Sequence, residues 1–179
     1  MRKLITYIIL FFSFFLYSQE PLFTLVDNSE TGIDFSNDLV DTKEHSIFLY
    51  ANYYGGAGVG IGDFDNDGLE DIFFAANLVD DKIYKNLGNF QFEDKTKMSG
   101  VINNGSWSTG VTIADVNNDG LLDIYVSCEL YDDLPYLRTN KLYINEGDFK
   151  FKESAKNWGV DVDRRTRHSV FFDYNNDGL

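Results

Sequence analysis

The chain has 179 residues, 29 of them acidic and 15 basic, so its formal net charge is -14 and its isoelectric point is about 4.3. Such a polyanion is a poor partner for nucleic acid, because neutralising phosphates requires clustered lysine and arginine. A hydrophobic content of 44% indicates a packed domain rather than acidic disorder, and the single cysteine, Cys128, excludes an internal disulfide.

The N-terminus resembles a secretory signal peptide. Arg2 and Lys3 precede an apolar run over residues 4–17, which only two polar residues interrupt. This run is shorter than the roughly 20 residues that a membrane-spanning helix needs. We assign residues 1–18 to the signal peptide, with an N-terminal membrane anchor as the alternative. The mature chain, without a membrane span, is expected to be secreted, held at the cell surface or periplasmic.

Residues 19–179 contain an acidic motif that recurs three times. The copies begin at Asp63, Asp115 and Asp173, at spacings of 52 and 58 residues, and each reads D-x-[D/N]-N-D-G-L. Further along, residues 82–101 match residues 141–160 at a constant offset of 59. Because the similarity extends well beyond the acidic loops, the repeat is a whole structural unit.

Each unit is predicted to form a four-stranded antiparallel meander. The second strands are apolar at every position, as expected for a sheet that is covered on both faces. Stacked sheets of this size are the blades of a β-propeller. The fold class is therefore all-β, an incomplete propeller of about three repeats. The predicted strands are residues 58–62, 110–114 and 168–172 (first), 72–76 and 124–128 (second), 82–85 and 141–144 (third), and the segments around Phe92 and Phe151 (fourth).

The acidic loops predict calcium sites. Two carboxylates 4 Å apart repel by about 4 kcal/mol at an effective dielectric near 20, so clustering them is unfavourable without a cation. Ca²⁺ prefers oxygen ligands in flexible geometry, and the glycine at position 6 permits the sharp turn. The predicted ligands, with a backbone carbonyl at position 7, are Asp63, Asp65, Asp67, Leu69 and Asp71 in the first loop, Asp115, Asn117, Asp119, Leu121 and Asp123 in the second, and Asp173, Asn175 and Asp177 in the third.

Two alternatives compete with this interpretation. An EF-hand loop begins with the same residues but needs a bidentate Glu at position 12 and flanking helices. Position 12 is Phe74 in the first copy and Val126 in the second, and the flanking segments lack helical periodicity. The other alternative is a solvated Asp/Asn/Gly turn that binds no metal. It stays open, above all for the third loop, which lacks its ninth position.

Residues 56–64, GAGVGIGDF, and residues 141–147, KLYINEG, carry a resemblance to a known family. The chain resembles the FG-GAP or VCBS repeats of integrin-α-type β-propellers, and more narrowly the secreted cartilage-acidic-protein-like (ASPIC/UnbV-associated) repeat proteins of bacteria. The likeness covers about residues 22–179. It implies calcium in the hairpin between the first two strands of each blade. Because the mature chain holds two complete acidic loops and part of a third, whereas propellers usually close with about 4 to 8 blades, we interpret the sequence as a fragment that stops within the third calcium loop.

The expected function is a calcium-stabilised extracellular scaffold that binds or adheres to a protein or glycan. The alternative is a calcium-dependent polysaccharide lyase or hydrolase built on the same repeats. Such an enzyme needs an acid and a base within reach of one bond. No catalytic residue is predicted, because nearly all suggestive carboxylates are assigned to the metal loops.

Three smaller predictions concern residues outside the loops. Cys128 aligns with Ala76 and is interpreted as a small core residue. Arg164, Arg165 and Arg167 form a basic cluster that is expected to pair with carboxylates. Residues 23–33 resemble the end of a unit, which suggests that the N-terminus completes another blade.

Overall fold

The structure is a computed structural model that describes residues 21–175. It contains two four-stranded antiparallel sheets, and within each sheet the strands are neighbours in chain order, which confirms the predicted meander. The first sheet comprises β1 (Val59–Gly62), β2 (Asp71–Phe74), β3 (Lys82–Asn86) and β4 (Phe92–Asp94), and the second comprises β5 (Trp107–Ala114), β6 (Asp123–Glu129), β7 (Lys141–Asn145) and β8 (Phe151–Glu153).

The acidic loops are the tips of the first hairpin of each sheet. Gly62 pairs with Asp71 in the first sheet, and Ala114 pairs with Asp123 in the second. Position 9 of each motif therefore begins the second strand, directly opposite the end of the first strand. This register closes each loop at its base and places the side chains of both ends next to each other.

One-turn helices follow the last strand of each sheet. They are α2 (Thr96–Ser99) and α3 (Ala155–Trp158), and each ends at a glycine in the left-handed conformation. The N-terminal segment forms the same element, α1 (Asn28–Thr31), ahead of the first sheet. A 3-10 turn at Pro135–Leu137 lies between β6 and β7. No helix within residues 21–175 combines the length and the apolarity that crossing a membrane requires.

The core lies between the two sheets. Phe73 and Ile83 of the first sheet and Val126 and Tyr143 of the second belong to one cluster of buried side chains. All seven residues of β6 are buried, as predicted for a sheet that is covered on both faces. The sheets therefore stack as neighbouring blades, and burial of their apolar faces supplies the main driving force for this arrangement.

The first strands pack closely against one another across the stack. A Cβ atom added to Gly58 would lie 2.7 Å from the backbone nitrogen of Val111 in β5, so only glycine fits this contact. On the other side of β5, the Thr109 hydroxyl donates to the Thr166 carbonyl at 2.7 Å. Successive units therefore meet through their first strands. In the third unit, the segment at the position of the first strand makes this contact.

The prediction of a strand over residues 168–172 is wrong. These residues have no strand structure, although the Thr112 hydroxyl donates to the Ser169 carbonyl at 2.5 Å and holds the segment beside β5. A strand is defined by its hydrogen-bonded ladder, and within residues 21–175 this segment has no second strand of its own unit to pair with.

Two of the smaller predictions are confirmed by contacts around β6. Cys128 is fully buried in the core between the sheets. The three arginines each form an ion pair with a carboxylate, and these pairs are Arg164 with Asp163 at 3.1 Å, Arg165 with Asp132 at 2.5 Å and Arg167 with Glu129 at 3.5 Å.

Candidate metal centres

The first loop brings three of its four predicted carboxylates together. Oxygen atoms of Asp63, Asp65 and Asp71 all lie within 4.8 Å of one another. Asp63 also shapes the loop, because its two carboxylate oxygens accept hydrogen bonds from the N–H groups of Asp67 at 3.1 Å and Gly68 at 2.7 Å. The turn therefore folds back onto its own first residue and gathers oxygen atoms at its centre.

Asp71 connects the loop to the rest of the sheet. Its side chain is fully buried and accepts hydrogen bonds from the N–H of Phe64 at 2.9 Å and the N–H of Asn86 at 2.8 Å. Burial raises the pKa of Asp71 to about 6, and the two backbone donors oppose that shift. Asp71 therefore holds the loop against β3 in addition to its place in the carboxylate cluster.

Asp65 supplies the test of whether a cation fits this loop. Its Oδ1 atom is buried and accepts no hydrogen bond from any residue between 21 and 175. A buried oxygen without a donor is unfavourable by about 1 to 3 kcal/mol, and a bound cation would satisfy it. The predicted donor set consists of carboxylates and a backbone carbonyl, which are the ligands that Ca²⁺ prefers. Asp63, Asp65 and Asp71, with the Leu69 carbonyl, are the groups that would hold the ion.

Lys85 is a residue of this site that the sequence analysis missed. Its ammonium group, which extends from β3, is paired with Asp65 and lies 2.7 Å from Asp67 Oδ2. The other oxygen of Asp67 accepts a hydrogen bond from the N–H of Leu69 at 2.9 Å. Asp67 is therefore held by other groups and lies outside the cluster of three carboxylates, and the hydrogen bond from Lys85 keeps the pKa of Asp67 below its ordinary value.

The second loop repeats the backbone geometry of the first. Asp115 accepts hydrogen bonds from the N–H groups of Asp119 at 3.1 Å and Gly120 at 2.9 Å. Asp123 is buried like Asp71 and accepts the N–H groups of Val116 at 2.9 Å and Asn145 at 2.8 Å. Burial likewise raises the pKa of Asp123.

The second loop differs from the first at position 3 and in its neighbour on the third strand. Position 3 is Asn117, whose amide donates to Asp119 Oδ2 at 2.7 Å. At the offset of 59 residues, the counterpart of Lys85 is Ile144, which carries no charge. Leu121, the predicted carbonyl ligand, keeps its place at position 7, where its N–H donates to Asp119 Oδ1 at 2.8 Å.

Asparagine side chains link the two loops. The Asn66 amide of the first loop donates to the Gly120 carbonyl of the second loop at 3.0 Å. Asn145 donates to the Phe64 carbonyl at 2.8 Å and to the Leu122 carbonyl at 3.1 Å, so one side chain contacts both loops. The matched positions of Asn86 and Asn145 in the repeat were a signal of this role, although the partners were not evident from sequence.

Parts of two predictions fall outside the described residues. In the third loop, the N–H of Asn175 at position 3 donates to Asp173 Oδ1 at 3.2 Å, whereas position 1 of the first two loops accepts from positions 5 and 6. The remaining predicted ligand of that loop, Asp177, lies outside the described range, and so does the predicted signal peptide over residues 1–18.

Comparison with known proteins identifies the repeat. Residues 63–126 match a family model described as an FG-GAP-like repeat. The chain is also 30% identical over 101 residues to cartilage acidic protein 1 of Xenopus tropicalis, a match that covers 56% of this chain and 16% of the relative's length. FG-GAP repeats are typical of β-propeller-like scaffolds for binding or adhesion, in agreement with the two stacked sheets. The chain therefore contains an FG-GAP-like repeat over residues 63–126.

Proposed function

We propose that the chain is a calcium-binding β-propeller segment of an exported protein. In this proposal calcium has a structural role and fixes the hairpin tips of adjacent sheets, while another surface of the propeller binds an extracellular protein or glycan. Export is inferred from the resemblance of residues 1–18 to a signal peptide. The chain spans about a sixth of the relative that it matches, so ligand binding by the whole protein belongs to the proposal as well.

The observation that carries the proposal is the cluster of three carboxylates in the first loop. Asp63, Asp65 and Asp71 come within 4.8 Å of one another, and one oxygen of Asp65 is buried without a donor among the described residues. Like charges at such distances destabilise the folded state unless a cation lies between them. A hard divalent ion would relieve this repulsion and satisfy the buried oxygen at once.

Thermal unfolding with and without the ion tests the proposal. A ligand that binds only the folded state stabilises it by about 1.4 to 2.7 kcal/mol at 10 to 100 times its dissociation constant. We expect the melting temperature to fall in chelator, to recover with calcium, and to recover much less with magnesium, which requires stricter octahedral coordination. A melting temperature that is the same in chelator and in millimolar calcium would refute calcium binding.

Two substitutions in the first loop separate metal binding from folding. Asp65→Ala is expected to remove one calcium per chain in a calorimetric titration and to change the stability little in chelator, because one oxygen of Asp65 has no donor among the described residues and its partner Lys85 keeps Asp67. Asp71→Ala leaves the buried N–H groups of Phe64 and Asn86 without an acceptor, so it is expected to destabilise the protein by about 2 to 4 kcal/mol even in chelator. Equal effects of both substitutions in chelator would contradict this division of roles.

A glycan screen tests the binding role. Acidic and neutral polysaccharides are incubated with the full chain in calcium and in chelator, and both retention of the protein and new sugar products are measured. Retention that depends on calcium without cleavage supports a scaffold. Cleavage products that disappear on chelation would instead support the lyase or hydrolase alternative.

A further inference from the structure

Lys85 occupies the first loop in a way that has no counterpart in the second. Its side chain is 21% exposed, and its ammonium group contacts Asp65 and Asp67, which are themselves 19% and 32% exposed. It also lies over the ring of Phe149, in the turn between β7 and β8, 5.4 Å from the centroid. This partly buried, doubly paired position distinguishes Lys85 from a lysine on a solvated face.

Lys85 offsets part of the additional negative charge of the first loop. Residues 63–71 contain five acidic side chains, and Lys85 reduces their net charge to -4, whereas residues 115–123 contain three acidic side chains and carry a net charge of -3. The residue that replaces Asp65 in the second loop is Asn117, and the residue that replaces Lys85 is Ile144. The two loops therefore limit the negative charge at position 3 in two ways, with an ammonium ion beside the carboxylate in the first loop and an amide in place of the carboxylate in the second.

The position of Lys85 opposes the assembly of a complete ligand set. Asp67 is the fourth predicted carboxylate. One of its oxygens accepts a hydrogen bond from the Lys85 ammonium, and the other accepts one from the N–H of Leu69. Asp65 also directs one oxygen to Lys85. A cation that recruits both carboxylates has to break these ion pairs, and the released ammonium group then remains close to a second positive charge.

We infer that Lys85 is an intramolecular competitor that weakens calcium binding at the first loop, an inference that rests on the proposed calcium function. It acts as a built-in counter-ion, which keeps the loop folded at low calcium and raises the concentration at which calcium displaces it. The second loop lacks this competitor because Ile144 occupies the corresponding position.

Calorimetric titration of calcium chloride into the full chain tests the inference. The titration uses the background Asp119→Ala with Asp173→Ala, in which the first loop is the remaining predicted site. Lys85→Ile, which introduces the residue of the second unit, is expected to lower the dissociation constant by about tenfold, as loss of two partly buried ion pairs implies. Lys85→Arg, which keeps the charge, is expected to retain weak binding.

Lys82→Ile is the matched control. Lys82 lies on the same strand and pairs with Asp94 at 2.5 Å, away from the loop, so its replacement is expected to leave calcium affinity unchanged. Circular dichroism checks that each variant folds. If Lys85→Ile does not fold, Lys85→Met is used in its place.

The outcomes distinguish this inference from the proposed function. Unchanged or weaker calcium binding in a folded Lys85→Ile or Lys85→Met chain would overturn the role of Lys85 and leave calcium binding intact. Equal tightening in Lys82→Ile would also overturn it, because the effect would then reflect net charge alone. Absence of calcium binding in every chain, including the chain with native loops, would refute the proposed function and this inference with it.

Discussion

The amide of Asn66 donates a hydrogen bond of 3.0 Å to the carbonyl of Gly120, 54 residues further along the chain. This contact joins position 4 of the first acidic loop to position 6 of the second. It therefore connects the tips of two hairpins that belong to different sheets. Because both loops are exposed at this point, the bond is a direct link between the two candidate metal centres rather than part of the core.

Removing this link is expected to destabilise the protein modestly. Asn66 has a positive φ of 58°, so Asn66→Gly deletes the amide without straining the backbone. We expect the free energy of unfolding to fall by about 1 kcal/mol from loss of the hydrogen bond, in addition to the entropic effect of glycine on the unfolded chain. Urea unfolding in chelator measures the change without a contribution from calcium.

Asn104→Gly controls for the effect of glycine itself. Asn104 lies in an exposed turn with a φ of 56°, close to that of Asn66, so the entropic effect of the substitution should be the same. If Asn66→Gly lowers the free energy of unfolding no more than Asn104→Gly does, the contact between the loops contributes nothing to stability.

The N-terminal segment docks on the first sheet as the end of one unit docks on the next. A Cβ atom added to Gly32 would lie 2.7 Å from the carbonyl oxygen of Phe92 in β4, and one added to Gly100 would lie 2.5 Å from that of Phe151 in β8. The Tyr84 hydroxyl donates to Asp34 at 2.6 Å, which supports the same docking. Residues near the N-terminus therefore occupy, against the first sheet, the place that the end of the first unit occupies against the second.

Gly32→Ala is expected to disrupt this docking. The φ of Gly32 is 75°, where alanine is strained by about 1 to 2 kcal/mol, and the new methyl group would collide with the Phe92 carbonyl. Gly56 has a φ of 78° with nothing within 4 Å, so Gly56→Ala measures the backbone strain alone. We expect Gly32→Ala to lower the free energy of unfolding by about 1 to 3 kcal/mol more than Gly56→Ala. Equal losses would show that the segment does not rest against β4.

Local features of this fold were predictable because they depend on nearby residues. The acidic hairpins follow from turn residues at fixed spacing, and the strands follow from apolar runs on either side of each loop. The constant offset of 59 residues between Tyr84 and Tyr143 showed that two sheets are copies of one unit. The strand over residues 168–172 was the exception, since its pairing depends on a partner and not on its own composition.

The contacts that connect the units could not be predicted from the same signals. Lys85 and Ile144 differ at one matched position, and spacing alone does not reveal that a lysine on the third strand reaches carboxylates of the first hairpin. Likewise, Asn66 has the sequence of an ordinary turn residue, and its partner Gly120 is set by how one sheet stacks on the other. Relations between sheets depend on packing geometry that a linear pattern does not contain.

Asp81 is a buried carboxyl group away from the loops. It is 1% exposed and accepts hydrogen bonds from the N–H of Ala76 at 2.8 Å, the Asn103 amide at 2.8 Å and the Ser108 hydroxyl at 3.1 Å. Burial nevertheless raises its pKa from 3.8 to about 6. In the second unit the same position is Asn140, whose Oδ1 accepts the N–H of Cys128 at 2.8 Å.

Asp81 is expected to make the protein more stable at pH 5 than at pH 7. Its pKa is higher in the folded state than in the unfolded state, so the folded state binds the proton more tightly. The stabilisation is therefore complete below about pH 4 and is lost as the pH rises through about 6. Between pH 7 and pH 5 this linkage corresponds to a gain of about 1 kcal/mol from Asp81.

Asp81→Asn isolates this contribution, because asparagine keeps an acceptor for the Ala76 N–H, as Asn140 does for Cys128, and cannot ionise. Asp71 and Asp123, whose pKa values are also raised, are present in both chains, so their effects cancel in the comparison. Urea unfolding in chelator at both pH values should show that the variant gains about 1 kcal/mol less than the native chain on going from pH 7 to pH 5. If the two chains gain equally, the proton is bound elsewhere and Asp81 is ionised throughout this range.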